Sequence, residues 1–584
     1  MKGEFSMKRF FSVVLVLCLL LCSVSALAQT AFTPGVYTGQ AQGKMGLVTV
    51  EVTLTEDAVE SVAVVSHEET AGLSDPAIES IPAAIVENQS LAVDTVAGAT
   101  MTSEAIIAAV ADCIKQAGGD VDALQTVVEK EKVAGEKVTV ETPVVVVGAG
   151  GAGLAAAVKL GQLGMKCVVI EKMPVIGGNT IRCGAAYNAV DPELQAAQGI
   201  EDSIELHIQQ TYDGGDRVGN LELITVLCEN ALDSIHWLED LGCEFKQTIT
   251  TVIGATWPRT HYPVNSIGSD FILPLEAACE EMGQEIIVNM EAKELIVSDG
   301  RVVGVIAEDT ATGTPYEFKA EKGVILATGG FAADIERCRS YNPNIPEDIT
   351  TSNHPGATGD GIDMAVAIGA ATEGIEYVQM LPITGNCVST AIENQIFVNV
   401  EGNRFVREDG RRDVMSNAIL EQPEKYMYMI GDQRVADESI TGSNIDALLE
   451  AGKIYRGDTL EELAEQIGVN AENLVKTVEA FNELVKGNGE DEFGRAVYDH
   501  TIEVGPFWAS AKQRPCLHHT MGGVKIDVDA RVIDTNGEAI PGLYAAGEVC
   551  GGIHGSNRLG GNACADIFVF GRIAAQSAAA YIAE

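Results

Sequence analysis

Two glycine-containing segments of this chain have residue types and spacing that could hold phosphate groups. One is VVVVGAGGAG, which begins at Val144 and places glycines at Gly148, Gly150 and Gly153. The other is AGAT, Ala97–Thr100, which carries a threonine hydroxyl on a glycine turn. Backbone amides on such turns ahead of a helix can bind phosphate. The sequence therefore predicts two separate phosphate sites.

The segment around Val144 predicts a complete β-α-β unit. Val144–Val147 are typical of a buried strand, an alanine-rich helix extends to Leu163, and a second strand, Cys167–Ile170, ends at Glu171. The first glycine permits the tight turn, the second lets the backbone approach a pyrophosphate, and the third allows close helix packing. Glu171 can hold ribose hydroxyls. This pattern predicts a dinucleotide-binding domain.

Three later segments indicate that the dinucleotide is FAD. Gly177–Thr180 reads GGNT, Val324–Phe331 reads VILATGGF, and Pro541–Glu548 reads PGLYAAGE. All three resemble segments of FAD-binding flavoproteins, and no additional nicotinamide site is visible. The loop Asn353–Gly361, NHPGATGDG, resembles another flavin-contacting element. The predicted contacts to a non-covalent FAD are Gly148, Ala149, Gly150, Gly153, Glu171, Lys172, Gly177, Gly178, Asn179, Thr180, Thr328, Gly329, Asp360, Glu548, Gly560, Gly561, Asn562 and Ala563.

The AGAT segment lies at the end of a region that alternates apolar and polar residues. GLVTVEVTLTEDAVESVAVVSHEE predicts a meander of strands, and a helix is expected from Ser103. SHEETAGLS, Ser66–Ser74, and DTVAGATMTS, Asp94–Ser103, resemble the covalent FMN-binding domain of sodium-pumping and related redox complexes. The resemblance implies FMN joined by a phosphoester to Thr100. The implied FMN pocket also includes His67, Glu69, Thr70, Gly72 and Leu73.

This FMN motif departs from the family pattern at one position. Ala97 stands where a serine or threonine is usual, and Thr102 supplies a second hydroxyl nearby. The sequence leaves the choice between Thr100 and Thr102 as the flavin acceptor open. Attachment also implies a flavin transferase in the producing cell.

The C-terminal part carries two longer motifs, CLHHTMGGVKID from Cys516 and GEVCGGIHGSNRLGGNACADI from Gly547. With the glycine-rich segments, they make residues 143–584 similar to the fumarate reductase and succinate dehydrogenase flavoprotein family. The nearest branch is the soluble fumarate and urocanate reductases of the flavocytochrome c type. The resemblance implies that His518 and Arg558 bind a substrate carboxylate, whereas His519 fits an ordinary packed neighbour equally well. It also implies that the residues after Leu559 begin a helix aimed at the flavin.

The same resemblance implies an arginine as the general acid. GNRFVREDGRRDVMS matches the family pattern with Arg412 in the acid's place, while Arg411 is a competitor one residue away. Arginine normally keeps its proton, so this role requires a desolvated site and a relay that returns the proton. Glu408, Asp409 and Asp413 are the candidate relay groups, and the sequence does not choose among them.

The chain departs from fumarate reductases where those enzymes bind the second carboxylate. Leu381 replaces the family's histidine before proline, and the region Ile383–Gln395 has no arginine and only Glu393 as an acid. A buried carboxylate without a partner is costly, whereas a leucine accepts an apolar group. We therefore expect an unsaturated monocarboxylate with a bulky or aromatic substituent. Arg259 and His261 of WPRTHYP are further substrate-binding candidates, with packing as the alternative.

Composition excludes several other classes of protein. The net charge of −46, from 84 acidic and 38 basic residues, argues against nucleic acid as a partner. The 13 cysteines include no C-x-x-C pair, so no metal site is predicted. Residues 1–28 combine basic residues, an apolar run and an Ala-Leu-Ala end, which predicts a signal peptide and export to a periplasmic, cell-surface or extracellular location. A retained membrane anchor is the alternative.

The predicted fold class is α/β: a Rossmann-like FAD-binding domain with an inserted α+β capping domain, preceded by a small α+β FMN-binding domain. A closing cap of this kind would exclude water and align the acid. The predicted boundaries are 1–28 for the signal peptide, 30–117 for the FMN domain, 118–142 for a linker, 143–366 and 506–584 for the two FAD-binding parts, and 367–505 for the cap.

The function implied is reduction of the C=C bond of an acrylate-, cinnamate- or urocanate-like acid. A membrane-linked or extracellular donor would reduce FMN, and electrons would pass to FAD, which would give a hydride to the substrate while Arg412 protonates it. Fumarate reduction is one alternative. An exported electron carrier and a flavin oxidase or dehydrogenase of the same fold are the others.

Overall fold

The computed structural model describes residues 32–96, 99–125, 134–385, 387–390, 392–437 and 445–581. The predicted signal peptide and two residues of the AGAT segment, Ala97 and Gly98, lie outside these described residues. The chain divides into two compact units. The N-terminal unit comprises Met1–Glu69, Ala77–Val96 and Thr100–Lys130, and the larger unit comprises Thr70–Pro76, Ala97–Ala99 and Glu131–Glu584.

The N-terminal unit contains an antiparallel sheet of three strands, Gly35–Gln42, Leu47–Leu54 and Val59–Ser66. In the central strand, every second side chain from Val48 to Leu54 is buried, which confirms the predicted meander. The helix Thr100–Gln116 packs on the first two strands. It begins three residues before the predicted Ser103, so Thr100 is its first residue. A second helix in this region is Asp75–Asn88.

The larger unit is built on an eight-stranded sheet whose central strands are parallel, as the β-α-β pattern predicted. The helices Gly151–Gln162 and Asn562–Ala580 pack against each other beside this sheet. The strand order is Arg531–Ile533, Ala539–Ala545, Pro315–Leu326, Val138–Val147, Cys167–Ile170 and Glu285–Ile287. Two further strands are antiparallel: Arg301–Asp309 pairs with Pro315–Leu326, and Met290–Ser298 pairs with Arg301–Asp309.

The first strand of this sheet is longer than predicted. It runs over Val138–Val147 and pairs with Tyr316–Leu326 along its length, so its first five residues lie in the predicted linker. The strand was predicted too short because solvent exposure changes along its length. Val138 to Glu141 are at most partly buried, which hides them from a search for buried apolar runs.

A four-stranded antiparallel sheet forms the core of the capping region. Its strands in spatial order are Ile396–Val398, Tyr428–Gly431, Phe507–Ser510 and Ile454–Gly457. This sheet therefore continues past the predicted boundary at Gly505. At the other end of the region, Val378–Leu381 pairs with Cys516–Thr520, so the second FAD-binding segment forms a sheet with residues expected in the cap.

The remaining elements connect these sheets. The other helices are Pro192–Ala197, Ile204–Gly214, Leu221–Asp240, Ser269–Glu281, Ile335–Tyr341, Asp360–Ala367, Arg412–Leu420, Gln433–Asp437, Ile445–Glu450, Leu460–Ile467 and Ala471–Val485. The short strands are Tyr187–Asn188, Thr260–His261, Thr350–Thr351, Thr372–Glu373, Gly523–Lys525 and Cys550–Gly551. Among the helices of the described residues, none has the length and apolar character needed to cross a membrane.

Candidate active site

The glycine-rich turn after Val138–Val147 opens a long cleft in the larger unit. Gly148 has a φ of 105°, and a Cβ atom on Gly153 would stand 1.9 Å from the carbonyl oxygen of Gly148. Only glycine permits this turn and this close helix packing. A Cβ atom on Gly150 would meet nothing closer than 3.9 Å. The backbone therefore leaves an open cradle at the start of the helix, as a pyrophosphate requires.

The cleft has the size and lining expected for a dinucleotide. It contains about 860 Å³ of empty space, including open solvent. Eleven of the predicted FAD contacts line it: Gly148, Gly150, Glu171, Lys172, Gly178, Asn179, Thr180, Thr328, Gly329, Asp360 and Glu548. Ala149, Gly153 and Gly177 form the turn behind this lining. The hydroxyl of Thr328 and Nε2 of His354 are buried there without a hydrogen-bond partner in the described chain, which leaves polar atoms for a ligand.

The polar residues of the cleft are held in place by the backbone and by each other. The Glu171 carboxylate accepts hydrogen bonds from the amides of Ala149 and Met173, each at 2.9 Å. Lys172 Nζ lies 2.6 Å from Asp360 Oδ2, and the Asn179 side chain accepts from the amide of His354 at 2.6 Å. These positions fit the residue set of an FAD site.

The last helix begins beside the cleft at Asn562, and the preceding N-cap residue, Gly561, has a φ of 88°. Its N-terminus has no side-chain cap, because the residue at the capping position is glycine, and the Asn562 side chain bonds other segments. Asn562 accepts from Asn188 at 2.8 Å and donates to Thr211 at 3.0 Å. The amide end of this helix, which includes Ala563, is therefore without a capping side chain. That arrangement favours an electron-rich group in front of it.

Arg412 passes between Gly560, which lies just before this helix, and Gly254 of another segment. A Cβ atom on Gly254 would lie 2.6 Å from Cγ of Arg412, and one on Gly560 would lie 3.1 Å from Nη2. The Arg412 side chain is buried, and its Nε donates to the carbonyl of Ile253 at 3.0 Å. Its Nη1 has no hydrogen-bond partner among the described residues. The guanidinium is thus held by a hydrogen bond at Nε, and its Nη1 is left to bind a ligand.

Arg558 and His518 face the same region. Arg558 is buried, donates to the carbonyl of Leu559 at 3.0 Å and to Oε1 of Gln379 at 3.2 Å, and leaves Nε without a partner in the described chain. Nδ1 of His518 lies 2.8 Å from the hydroxyl of Ser352. This contact fixes the ring by one nitrogen and leaves Nε2 for a ligand.

Arg412 and Arg558 give this pocket its cationic character, and His518 lies beside them. Neither Arg412 nor Arg558 forms an ion pair with any carboxylate of the described residues. Burial lowers the pKa of Arg412 well below its usual value, and the charge of Arg558 lowers it further. Burial and then the charges of Arg412 and Arg558 also lower the pKa of His518, which keeps the ring neutral. A bound anion would relieve the repulsion between the two guanidinium groups.

The structure favours a packing role for Arg259 and His261. Arg259 is fully buried and forms a two-point ion pair with Asp202, at 2.9 and 2.8 Å. Nε2 of His261 lies 3.3 Å from the carbonyl of Ala189, and burial lowers its pKa to about 4. Both side chains are used by the fold, although Nη1 of Arg259 remains unpaired among the described residues.

Leu381 occupies the position at which the resembling fumarate reductases have a histidine. It is partly buried against an apolar cluster that contains Ile253, Tyr262, Ile383 and Met415. Since Ile253 also holds Arg412, this cluster adjoins the cationic pocket. An apolar cluster therefore lies beside the segment that holds Arg412.

Sequence reasoning missed Gln379 and Ser352, which position the two substrate-binding candidates. Gln379 is buried, accepts from Arg558, and donates to the carbonyl of the same residue at 2.7 Å. Its position two residues before Leu381 in an extended segment was an available signal, because both side chains then share one face. His519, in contrast, is buried against the ring of His554.

The two candidate FMN acceptors differ sharply in the N-terminal unit. The Thr102 hydroxyl is buried and donates to Oε2 of Glu69 at 2.6 Å, while the amide of Met45 donates to Oε1 at 2.9 Å. Thr100 is exposed at the first position of its helix. Only Thr100 therefore has an accessible hydroxyl. His67 is exposed, and the remaining predicted FMN contacts, Thr70, Gly72 and Leu73, fall within the larger unit.

Comparison with known proteins identifies an FAD-binding and an FMN-binding domain in this chain. Residues 143–564 match the family model described as an FAD binding domain, and residues 43–115 match that of an FMN-binding domain. The chain is 38% identical to the urocanate reductase of Eggerthella lenta, over 93% of this chain and 92% of that protein. It belongs to the fumarate and urocanate reductase family of flavoproteins. As a member, it is an FAD-dependent oxidoreductase.

The chain is also similar to a second sequence relative and to a solved structure. It is 38% identical to an NADH:acrylate oxidoreductase of Vibrio harveyi over 94% of its own length, but it spans only 61% of that protein. The structure of an open flavocytochrome c3 fumarate reductase superposes with a TM-score of 0.60, at 38% identity over 75% of this chain and 78% of that one. The family fold thus supports the predicted FAD-binding domain, and the FMN-binding domain precedes it.

Proposed function

We propose that this flavoprotein is an exported reductase of α,β-unsaturated carboxylates. The observation that carries the proposal is the buried pocket of Arg412, Arg558 and His518, which has unsatisfied N–H groups and no carboxylate partner in the described chain. Buried charges are normally paired, so the pocket is built for an anion. A carboxylate substrate supplies that charge.

The cofactor and the pocket residues would carry out different parts of the reduction. FAD held in the cleft would supply a hydride to the β-carbon of the substrate. Arg558 and the neutral His518 bind the carboxylate and stabilise the negative charge that develops on it during the reaction. Arg412 donates a proton from its guanidinium to the α-carbon, which completes the C–H bond. Its lowered pKa makes this donation easier than from an exposed arginine.

The apolar wall at Leu381 narrows the substrate class. Fumarate would place its second carboxylate away from the arginine pair, towards Leu381, which is partly exposed and backed by the buried side chains of Ile383 and Met415. Desolvating that charge without a partner would cost binding energy. An acrylate, cinnamate or urocanate-like acid would instead bury an apolar or aromatic substituent. We propose such an acid as the physiological substrate.

Replacing Leu381 with histidine tests this specificity argument. A histidine offers a hydrogen-bond donor for a second carboxylate and removes apolar contact area. The ratio of kcat/KM for fumarate to kcat/KM for cinnamate should rise by about tenfold or more. Steady-state kinetics on both acids measures the ratio, and Leu381→Met, which keeps the wall apolar, should leave it near the wild-type value. An unchanged ratio in Leu381→His would contradict the assignment of Leu381 to the substrate wall.

Electrons would enter through FMN esterified to Thr100 and pass to the FAD. A membrane-linked or extracellular electron carrier is the proposed donor. A flavin transferase of the producing cell would attach the FMN. The signal-peptide pattern of residues 1–28 supports export of the whole assembly.

The test is anaerobic oxidation of dithionite-reduced viologen by the flavin-loaded protein. The substrate panel should contain acrylate, methacrylate, cinnamate, hydroxycinnamates, urocanate, itaconate and fumarate. Fast turnover of one alkyl or aryl acrylate supports the proposal. Fumarate as the best substrate would keep the enzyme class but refute the pocket argument, and no turnover at all with both flavins bound would favour an electron carrier.

A further inference from the structure

One helix, Ile204–Gly214, ends against the loop that carries Arg558. The side chain of Asn557 donates to the carbonyl of the last residue of this helix at 3.2 Å. The amide of Ser556 donates to the carbonyl of Gly215, the next residue along the chain, at 3.1 Å. The position of the loop, and of Arg558 within it, therefore depends on this helix end.

Asp216 follows the helix end in an unusual backbone conformation. Its φ is 54° and that of Arg217 is 60°, in the left-handed region that residues other than glycine adopt infrequently. Aspartate tolerates this region better than most residues, but the conformation still costs free energy and persists where surrounding contacts maintain it. The side chain of Asp216 makes contacts of this kind on two sides.

The carboxylate of Asp216 binds the Arg558 loop on one side and the residue before Arg412 on the other. The hydroxyl of Ser556 donates to Oδ2. Nη2 of Arg411 donates to the same oxygen at 3.0 Å, and Nη1 of Arg411 donates to Oδ1. Ser556 lies two residues before Arg558, whereas Arg411 immediately precedes Arg412. One carboxylate therefore joins the segments that carry the two arginines of the pocket.

The ion pair between Asp216 and Arg411 connects the capping region to the FAD-binding part. A two-point pair of this kind fixes orientation as well as distance. The hydrogen bonds from Arg411 hold the pKa of Asp216 below its usual range, so the carboxylate is charged at neutral pH. Since 53% of the Asp216 side chain is exposed, the pair should add little to overall stability. Its effect is expected in the geometry of the pocket.

We propose that Asp216 is a positioning residue that sets the placement of the proton donor Arg412 relative to the carboxylate-binding Arg558. This inference rests on the proposed function. The proton must reach the α-carbon while the substrate carboxylate is held, and a misplacement of about 1 Å can cost about 10²-fold in rate. Through Arg411, Asp216 holds the acid, and through Ser556 it holds the loop that binds the substrate. The first contact should therefore affect kcat and the second KM.

The variants Arg411→Ala, Ser556→Ala and Asp216→Gly separate these contributions in the flavin-loaded enzyme. Arg411→Ala should lower kcat about three- to tenfold and keep KM within about twofold of wild type. Ser556→Ala should raise KM about three- to tenfold and keep kcat within about twofold. Asp216→Gly accepts the φ of 54° without strain but loses both contacts, so it should show both changes. Steady-state kinetics with the best enoate measures both constants.

Combining Arg411→Ala with Asp216→Gly tests whether the two residues act through one contact. The double variant should keep the kcat of Asp216→Gly to within about twofold, because the shared interaction is already lost. Losses that multiply in the double variant would contradict the proposal. Asp213→Asn is the matched control. It changes a carboxylate of the same helix whose ion pair, with Arg217 at 2.6 Å, stays within that segment, so kcat and KM should not change.

An inactive wild-type enzyme would refute the proposed function itself. If wild type turns over and Arg412→Ala does not, while Asp216→Gly keeps the wild-type kcat and KM, the positioning role alone is wrong. Parallel changes of kcat and KM in all three single variants, with a lower melting temperature, would show a merely structural role and also refute it.

Asp216→Asn decides the question if Asp216→Gly does not fold. Asparagine keeps the side-chain shape and also tolerates a left-handed φ. Its amide oxygen can still accept from Ser556, but the charge that binds Arg411 is gone. This variant should therefore lower kcat as Arg411→Ala does and leave KM near the wild-type value, and a wild-type kcat would refute the positioning role.

Discussion

Arg412→Ala should abolish reduction of the substrate double bond while both flavins stay bound. The variant removes the proposed proton donor and one of the two charges in the pocket, so we expect kcat to fall by about 10²–10⁴-fold or more. The flavin absorbance spectrum should be preserved, because the cleft residues that hold FAD do not include Arg412. Reduced-viologen oxidation with the best enoate measures the loss, and reduction of the flavins by dithionite shows that electrons still enter.

Arg411→Ala is the matched control for this prediction. Arg411 also lies at the start of the helix Arg412–Leu420, but it is bound to Asp413 at 2.7 Å and to Asp216, and these carboxylates raise its pKa. An arginine held in this way keeps its proton. We expect Arg411→Ala to lose less than about tenfold in kcat, by loosening the helix start. The reverse order of effects would make Arg411 the acid and refute the assignment to Arg412.

The FAD cleft was predictable from sequence because its geometry is local. The turn at Gly148, the helix start at Gly150 and the strand that ends at Glu171 follow one another along the chain, and the close approach of Gly153 to Gly148 lies within this segment. The start of the strand Val138–Val147 was not predicted, because it does not depend on local geometry. Its first residues are stabilised by pairing with Tyr316–Leu326, a partner that no local pattern identifies.

The substrate pocket depends on contacts between distant segments, and there the sequence was less informative. The resemblance supplied Arg412, Arg558 and His518, yet the neighbours that define their chemistry come from elsewhere. Gln379 holds Arg558 from a position 179 residues earlier in the chain, and Ile253 holds Arg412 from 159 residues earlier. Such pairings are fixed by the packing of the whole unit.

Thr100→Ala should eliminate covalent FMN, whereas Thr102→Ala should keep it. Thr100 presents an exposed hydroxyl at the first position of the helix Thr100–Gln116, where backbone amides favour a phosphate. Flavin fluorescence of the denatured protein, produced together with a flavin transferase, measures attachment. Viologen-driven turnover at the FAD should survive in Thr100→Ala to the extent that the dye reduces FAD directly, while turnover with the physiological donor should be lost.

The opposite behaviour of Thr102→Ala follows from its contact with Glu69. Deleting that hydroxyl leaves a buried carboxylate with one partner fewer, so the N-terminal unit should lose about 1–3 kcal/mol of unfolding free energy and melt at a lower temperature. A hydroxyl already donated to a carboxylate at 2.6 Å and shielded from solvent is poorly placed to accept a flavin from a transferase. Flavin retained in Thr100→Ala and lost in a folded Thr102→Ala would instead identify Thr102 as the acceptor and refute the assignment to Thr100.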